Sequence, residues 1–182
     1  MDPAKLPELE TDRLLLRMLT VEDADDVFDY ARDPLVARYV SWDVHESVER
    51  TVTYLMALEG AYEMGDLVDW GVVLKETGRV IGSCGFPSWN REHACAELGY
   101  ALGREHWNRG LATECARAAI GFGFSTMGLN RIQALSLEAN AASRRVLEKC
   151  GMELEGVARG RVKANGVFND ALVFAVTRAD WR

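Results

Sequence analysis

Paired cysteines, clustered histidines and long apolar runs are all missing from this 182-residue chain, and each absence removes a class of protein. The four cysteines, Cys84, Cys95, Cys115 and Cys150, stand far apart, without the paired spacing of a zinc site or the density of a disulfide scaffold. Three histidines are too few to complete a His/Cys cluster, so no metal is expected. The longest apolar stretches are as short as residues 171–176, and none is long enough to span a bilayer. Residues 1–10 are charged and hold no apolar centre, unlike a secretory leader, and thiols in a leaderless chain point to the reducing cytoplasm. Proline is scarce too: two of the four fall within the first seven residues, so no Pro-rich linker divides the chain. One domain over 1–182, its core at about 10–178, is the expectation. Positive charge is in deficit, 21 Lys and Arg against 28 Asp and Glu, a net −7. That balance argues against nucleic acid, whose binding rests on phosphate neutralisation. It suits a cationic partner such as an amine, or simply a well-solvated surface.

What is present is an alternation of short strands and helices. Residues 11–19 read as a strand. Thr20 and Asp23 read as a helix start with acidic residues behind them, the helix running to Asp33, where Pro34 stops it. A second helix over 47–64 carries the stripe Val52, Leu55, Met56, Leu58 and ends at Gly65. Residues 70–75 and 79–86 flank Glu76-Thr77-Gly78 as a hairpin, followed by a strand at 94–101. A loop over 103–110 leads into a helix from Leu111 to about Met127, almost free of charge and therefore buried. Residues 131–137 form a strand, and 140–150 a helix capped by Asn140 and closed by Gly151. Strands at 154–163 and 167–177 meet across Ala164-Asn165-Gly166. Strand, buried helix, strand implies one right-handed crossover between parallel strands in an otherwise antiparallel sheet. The fold class is α/β (α+β), a mixed sheet with flanking helices.

The chemistry concentrates in Glu105-His106-Trp107-Asn108-Arg109-Gly110-Leu111-Ala112-Thr113, between a strand and the buried helix. The first N–H groups of a helix lack internal partners and, with the helix dipole, form an anion site. Gly110 and Ala112 leave room for an anion to approach, and Arg109 adds a permanent charge. An ordinary strand-to-helix loop with one glycine reads the same way, so the loop alone decides nothing. Neither a Walker A pattern nor G-x-G-x-x-G is present.

Trp107-Asn108-Arg109-Gly110-Leu111-Ala112 resembles the pyrophosphate loop of the GNAT N-acetyltransferases, [RQ]-x-x-G-x-[GA], departing from it at Trp107. An aromatic residue there is similar to the ribosomal-protein N-terminal (Rim-type) branch. Glu10-Thr11-Asp12-Arg13-Leu14-Leu15-Leu16-Arg17, Glu97-Leu98-Gly99-Tyr100, Asn140-Ala141-Ala142-Ser143, Glu148-Lys149-Cys150-Gly151-Met152 and Leu154-Glu155-Gly156 resemble that branch in the same order. The resemblance implies a GNAT fold in which acetyl-CoA enters between two splayed parallel strands. It implies that Leu98, Gly99, Tyr100 and Ala101 form the strand meeting the thioester. The diphosphate would then sit on the amides of Arg109, Gly110, Leu111, Ala112 and Thr113, with Asn140 and Ser143 along the pantetheine arm. Glu97 and Glu155 are the two candidate bases. Ser143 is the candidate acid, ahead of Tyr100. Arg144, Arg145 and Lys149 stand near enough to consider for the adenosine 3′-phosphate, although a solvated face explains them too. Trp42 and Trp70 could flank the acceptor pocket, which loops 41–46 and 87–93 would shape.

The implied activity is acetyl-CoA-dependent transfer to a primary amine, namely a protein or peptide α-amine. A small-molecule amine such as a polyamine or aminoglycoside, or a silent acyl-CoA-binding module, stays open. A homodimer is compatible with the sequence, and no pattern specifies one.

Overall fold

A computed structural model describes residues 6–64, 67–164 and 166–181. Gly65 and Asn165, expected to end a helix and to turn a hairpin, lie outside the described residues, as does the start of the 1–10 segment. The elements run β1 (Leu9–Glu10), β2 (Leu14–Arg17), α1 (Ala24–Ala31), α2 (Pro34–Ala37), α3 (Val48–Met64), β3 (Val68–Leu74), β4 (Arg79–Asn90) and β5 (Cys95–Leu102). They continue with α4 (Leu111–Ser125), β6 (Arg131–Leu137), α5 (Ala141–Lys149), β7 (Glu153–Ala164) and β8 (Val167–Thr177). One sheet holds all eight strands in the order β1-β2-β3-β4-β5-β6-β8-β7, antiparallel except for the β5–β6 pair.

Strand alternation sends one set of side chains to each face. Leu14, Leu16, Trp70, Val72, Cys84, Phe86 and Leu98 meet Cys115, Ala119, Phe122 and Leu147 of α4 and α5. Trp70 is wholly buried, edge-on to Phe122 at 5.2 Å, and its indole N–H donates to Pro7 O at 2.8 Å. It belongs to the core, not to an acceptor pocket. Val73 and Val80 meet Val27, Tyr30, Leu55 and Tyr62 of α1 and α3 on the other face.

Further expectations are corrected. The stretch 11–19 is not one strand, because Thr11 N–H turns back to Leu14 O (2.9 Å) and separates β1 from β2. Pro34 starts a helix instead of stopping one. α1 has already ended, and Asp33 caps α2 by accepting from Leu35 N–H (2.9 Å) while Pro34 takes a first-turn position where no N–H is needed. The expected loop 87–93 is largely strand: β4 runs on to Asn90 through a register shift between Gly85 and Ser88, and Pro87 sits in that shift. In α3, Leu55 and Leu58 are buried but Met56 is exposed, so the stripe is narrower than read.

Candidate functional site

β5 and β6 pair only at Cys95–Arg131, Ala96–Ile132 and Glu97–Gln133. Beyond Glu97, β5 stays on β4 as far as Leu102 and β6 stays on β8 as far as Leu137, so the parallel pair opens into a wedge. Gly103 N–H donates to Ile81 O at 2.8 Å, so alternation also turns the Ala101 and Gly99 amides toward β4. The Leu98 and Tyr100 amides therefore face the wedge. Leu98's side chain is buried in the core, and only its backbone is available.

A cavity of about 460 Å³ lies at the open end, lined among others by Tyr100, Gly110, Ala112, Thr113, Asn140 and Ser143. Gly110 precedes α4 at φ +80, a conformation that costs a side-chain-bearing residue energy. No side chain caps this helix, and its first backbone bond runs from Glu114 N–H to Gly110 O (3.1 Å). The Leu111, Ala112 and Thr113 amides thus point out of the helix end with no intrahelical acceptor. Asn140 caps α5, its side chain accepting from Ser143 N–H at 3.1 Å. Tyr100 Oη lies 3.0 Å from Ser143 Oγ and donates to Ser143 O at 3.2 Å. Burial pushes the Tyr100 pKa up, further than the Ser143 hydrogen bond lowers it, so the phenol keeps its proton. Arg145 and Lys149 also line this cavity, whereas Arg144 pairs with Glu148 along α5 at 2.9 Å.

Other sequence candidates fall elsewhere. Arg109's guanidinium leans toward Glu76 (3.9 Å) and His106 (3.5 Å) and does not line the cavity. Glu97 stands at the last paired rung, accepting from Gln133 Nε2 at 3.4 Å. Glu155 grips Arg131 with both oxygens, at 2.6 and 2.5 Å. Arg131 pairs with Cys95 at the closed end of the wedge, so Glu155 is separated from the cavity. Its pKa is lowered by the Arg131 hydrogen bonds, which makes it a weak proton acceptor. Two residues that sequence reading missed hold the loop before α4 from behind. Glu114 accepts from Thr11 Oγ1 (2.7 Å), Arg13 N–H (2.9 Å) and Arg13 Nε (2.8 Å), and Arg13 Nη1 donates to Arg109 O (2.9 Å). About a hundred residues separate these partners, and no local pattern marks such a pair.

A second, more open cavity of about 710 Å³ adjoins the first through Tyr39, which lines both, and includes Arg38, Leu137, Glu138 and Asp170. No group of three His, Cys, Asp or Glu side chains among the described residues could hold a metal ion. No described helix is long and apolar enough to cross a membrane.

The sequence profile of the acetyltransferase (GNAT) domain family matches residues 13–153. The chain is 36% identical over 172 residues to the uncharacterized N-acetyltransferase YoaA of Bacillus subtilis, covering 94% of this chain and 97% of the relative. It is 27% identical to the ribosomal protein uS5-alanine N-acetyltransferase of Escherichia coli, covering 95% and 92%. The solved structure of a GNAT-family acetyltransferase from Bacillus anthracis superposes with a TM-score of 0.84 at 27% identity, covering 95% and 99%.

Proposed function

The chain belongs to the GNAT acetyltransferase family, and we propose that it moves the acetyl group of acetyl-CoA directly onto the α-amine of a protein or peptide. The observation that carries this reading is the wedge, with uncapped amides at one wall and the Tyr100–Ser143 pair at another. Acetyl-CoA would supply a thioester-activated acetyl group. The amides from Arg109 to Thr113 would hold its diphosphate at the start of α4. The Tyr100 amide, turned into the wedge, would donate to the thioester carbonyl as negative charge grows on its oxygen. Ser143, fixed by the Asn140 cap and by Tyr100, would protonate the leaving thiolate. Glu97 would receive the proton that the amine sheds, a modest task for an α-amine with a pKa of about 8.

Two observations favour a polypeptide acceptor. The relative that acts on alanine of ribosomal protein uS5 aligns along 95% of this chain. The adjoining open cavity, lined by two carboxylates, Glu138 and Asp170, against one cation, Arg38, offers room and a net negative charge for a cationic chain end.

Thiol titration of released CoA, with N-terminal peptides beside spermidine and an aminoglycoside, tests the reading. Peptide-dependent release is expected, with Glu97→Gln lowering kcat by at least about tenfold. Acetyl-CoA binding without release by any amine would leave only a binding module.

A further inference from the structure

One row of residues crosses the sheet on the face covered by α1 and α3. Asp69 of β3 is the partner of Gly85 of β4, and Gly85 is the partner of Gly99 of β5. At roughly 4.8 Å between strands, the row runs about 10 Å from Asp69 to the edge of the wedge. Neither glycine places a side chain on this floor, and the Pro87 ring borders its Gly99 end, 3.4 Å from where a Cβ would stand. A Cβ at Gly85 would stand 2.6 Å from Asp69 Oδ1, so the carboxylate leans over Gly85.

This part of the face is partly exposed around a buried Gly85, where its reverse is sealed. Asp69, Ser83, Glu97 and Gly99 are half-buried, whereas Cys84, Phe86 and Leu98 behind them are buried. The groups facing Asp69 are Tyr30 from α1, Tyr54 and Tyr62 from α3, and Cys84 from beneath the sheet; none is a cation. Tyr62 Oη donates to the Asp69 backbone carbonyl at 2.7 Å, and the carboxylate itself accepts from the backbone N–H of Trp70, a neutral donor that brings no counter-charge. No Lys or Arg among the described residues forms an ion pair with it. A carboxylate removed from water without a counter-ion is destabilising, and burial pushes its pKa up to about 7. A cation arriving over the glycine floor would relieve that cost, and tyrosine rings are good neighbours for it.

We propose that Asp69 is the acceptor-selecting residue, binding the ammonium form of a primary amine on the Gly85–Gly99 floor beside the wedge. The assignment rests on the transferase reading above. Glu97 then acts on an amine already held, so the two carboxylates have separable effects.

Asp69→Asn keeps the shape and removes the charge. For alaninamide and an alanyl peptide it should raise KM by about tenfold or more while kcat stays within about threefold and acetyl-CoA affinity is unchanged. Transfer to hydroxylamine, largely uncharged at neutral pH, should be unaffected. In the wild type, KM for the cationic acceptors should rise as pH falls through about 7, and in Asp69→Asn it should be flat. An unchanged KM for the cationic amines, or an equal loss with hydroxylamine, overturns the assignment. A wild-type KM that is flat across this range overturns it without any variant. Wild-type protein that releases no CoA with any amine sinks the transferase reading and this proposal together, whereas release indifferent to Asp69→Asn sinks the proposal alone.

Discussion

Tyr100 and Ser143 belong to a strand and a helix 43 residues apart, yet their hydroxyls meet at 3.0 Å. Tyr100 can donate either to Ser143 O or to Ser143 Oγ, and only the second choice frees the serine proton to point toward a leaving group. Tyr100→Phe should therefore lower kcat by about 3–10-fold and leave the acetyl-CoA dissociation constant unchanged in calorimetry, the loss of one hydrogen bond. Gly110 tests the diphosphate placement proposed above. Its φ of +80 disfavours any side chain, and a carboxylate there would also repel a diphosphate. Gly110→Asp should weaken acetyl-CoA binding by at least about tenfold in calorimetry. Unchanged affinity would mean that the diphosphate sits elsewhere.

At the scale of elements, the start of α4 matters because both its amides and its position must be right. Three hydrogen bonds to Glu114 fasten the first turn of α4 to residues 11–13, and Arg13 extends the fastening to the Arg109 carbonyl. Burial alone would raise the Glu114 pKa, but hydrogen bonds from Thr11 and Arg13 outweigh it and the net shift is downward. A lowered folded pKa means stabilisation that is present above the unfolded value and lost as pH falls through the folded one. Glu114→Gln should cost about 1–2 kcal/mol in denaturant melts at neutral pH, and the difference should shrink under acid conditions. Weaker acetyl-CoA binding should accompany it, because the loop loses its rear support.

At the scale of the whole molecule, the sheet carries one main core on each face, and Trp70 is fully buried in the larger one. Trp70→Ala removes its contact with Phe122 and its hydrogen bond to Pro7, and should cost about 3–5 kcal/mol of folding stability by chemical denaturation. Asp69 works in the opposite direction. Its raised pKa means that the folded chain binds the proton more tightly than the unfolded one, so its contribution declines as pH rises from the ordinary carboxylate range to about 7. Asp69→Asn should raise the thermal midpoint in mildly alkaline buffer and leave it nearly unchanged at acid pH. Such a gain, alongside a lost acceptor KM, would mark a site kept for binding at the expense of stability.

Local pattern and local chemistry were enough for the sequence to determine the order of strands and helices from β3 onward, the Asn140 cap, the positive φ at Gly151, and the single parallel pair. These depend on neighbours within a few residues, or on the handedness of one crossover. Pro34 was misjudged because a proline that stops one helix is equally suited to begin the next. Only the tertiary structure decided which carboxylates matter. It seated Glu155 on Arg131 at the closed end of the wedge, tied Glu114 to Arg13, and left Asp69 facing tyrosines and glycines without a cation. A carboxylate's role depends on its distance to charges and water in space, and strand pairing between remote segments sets those distances.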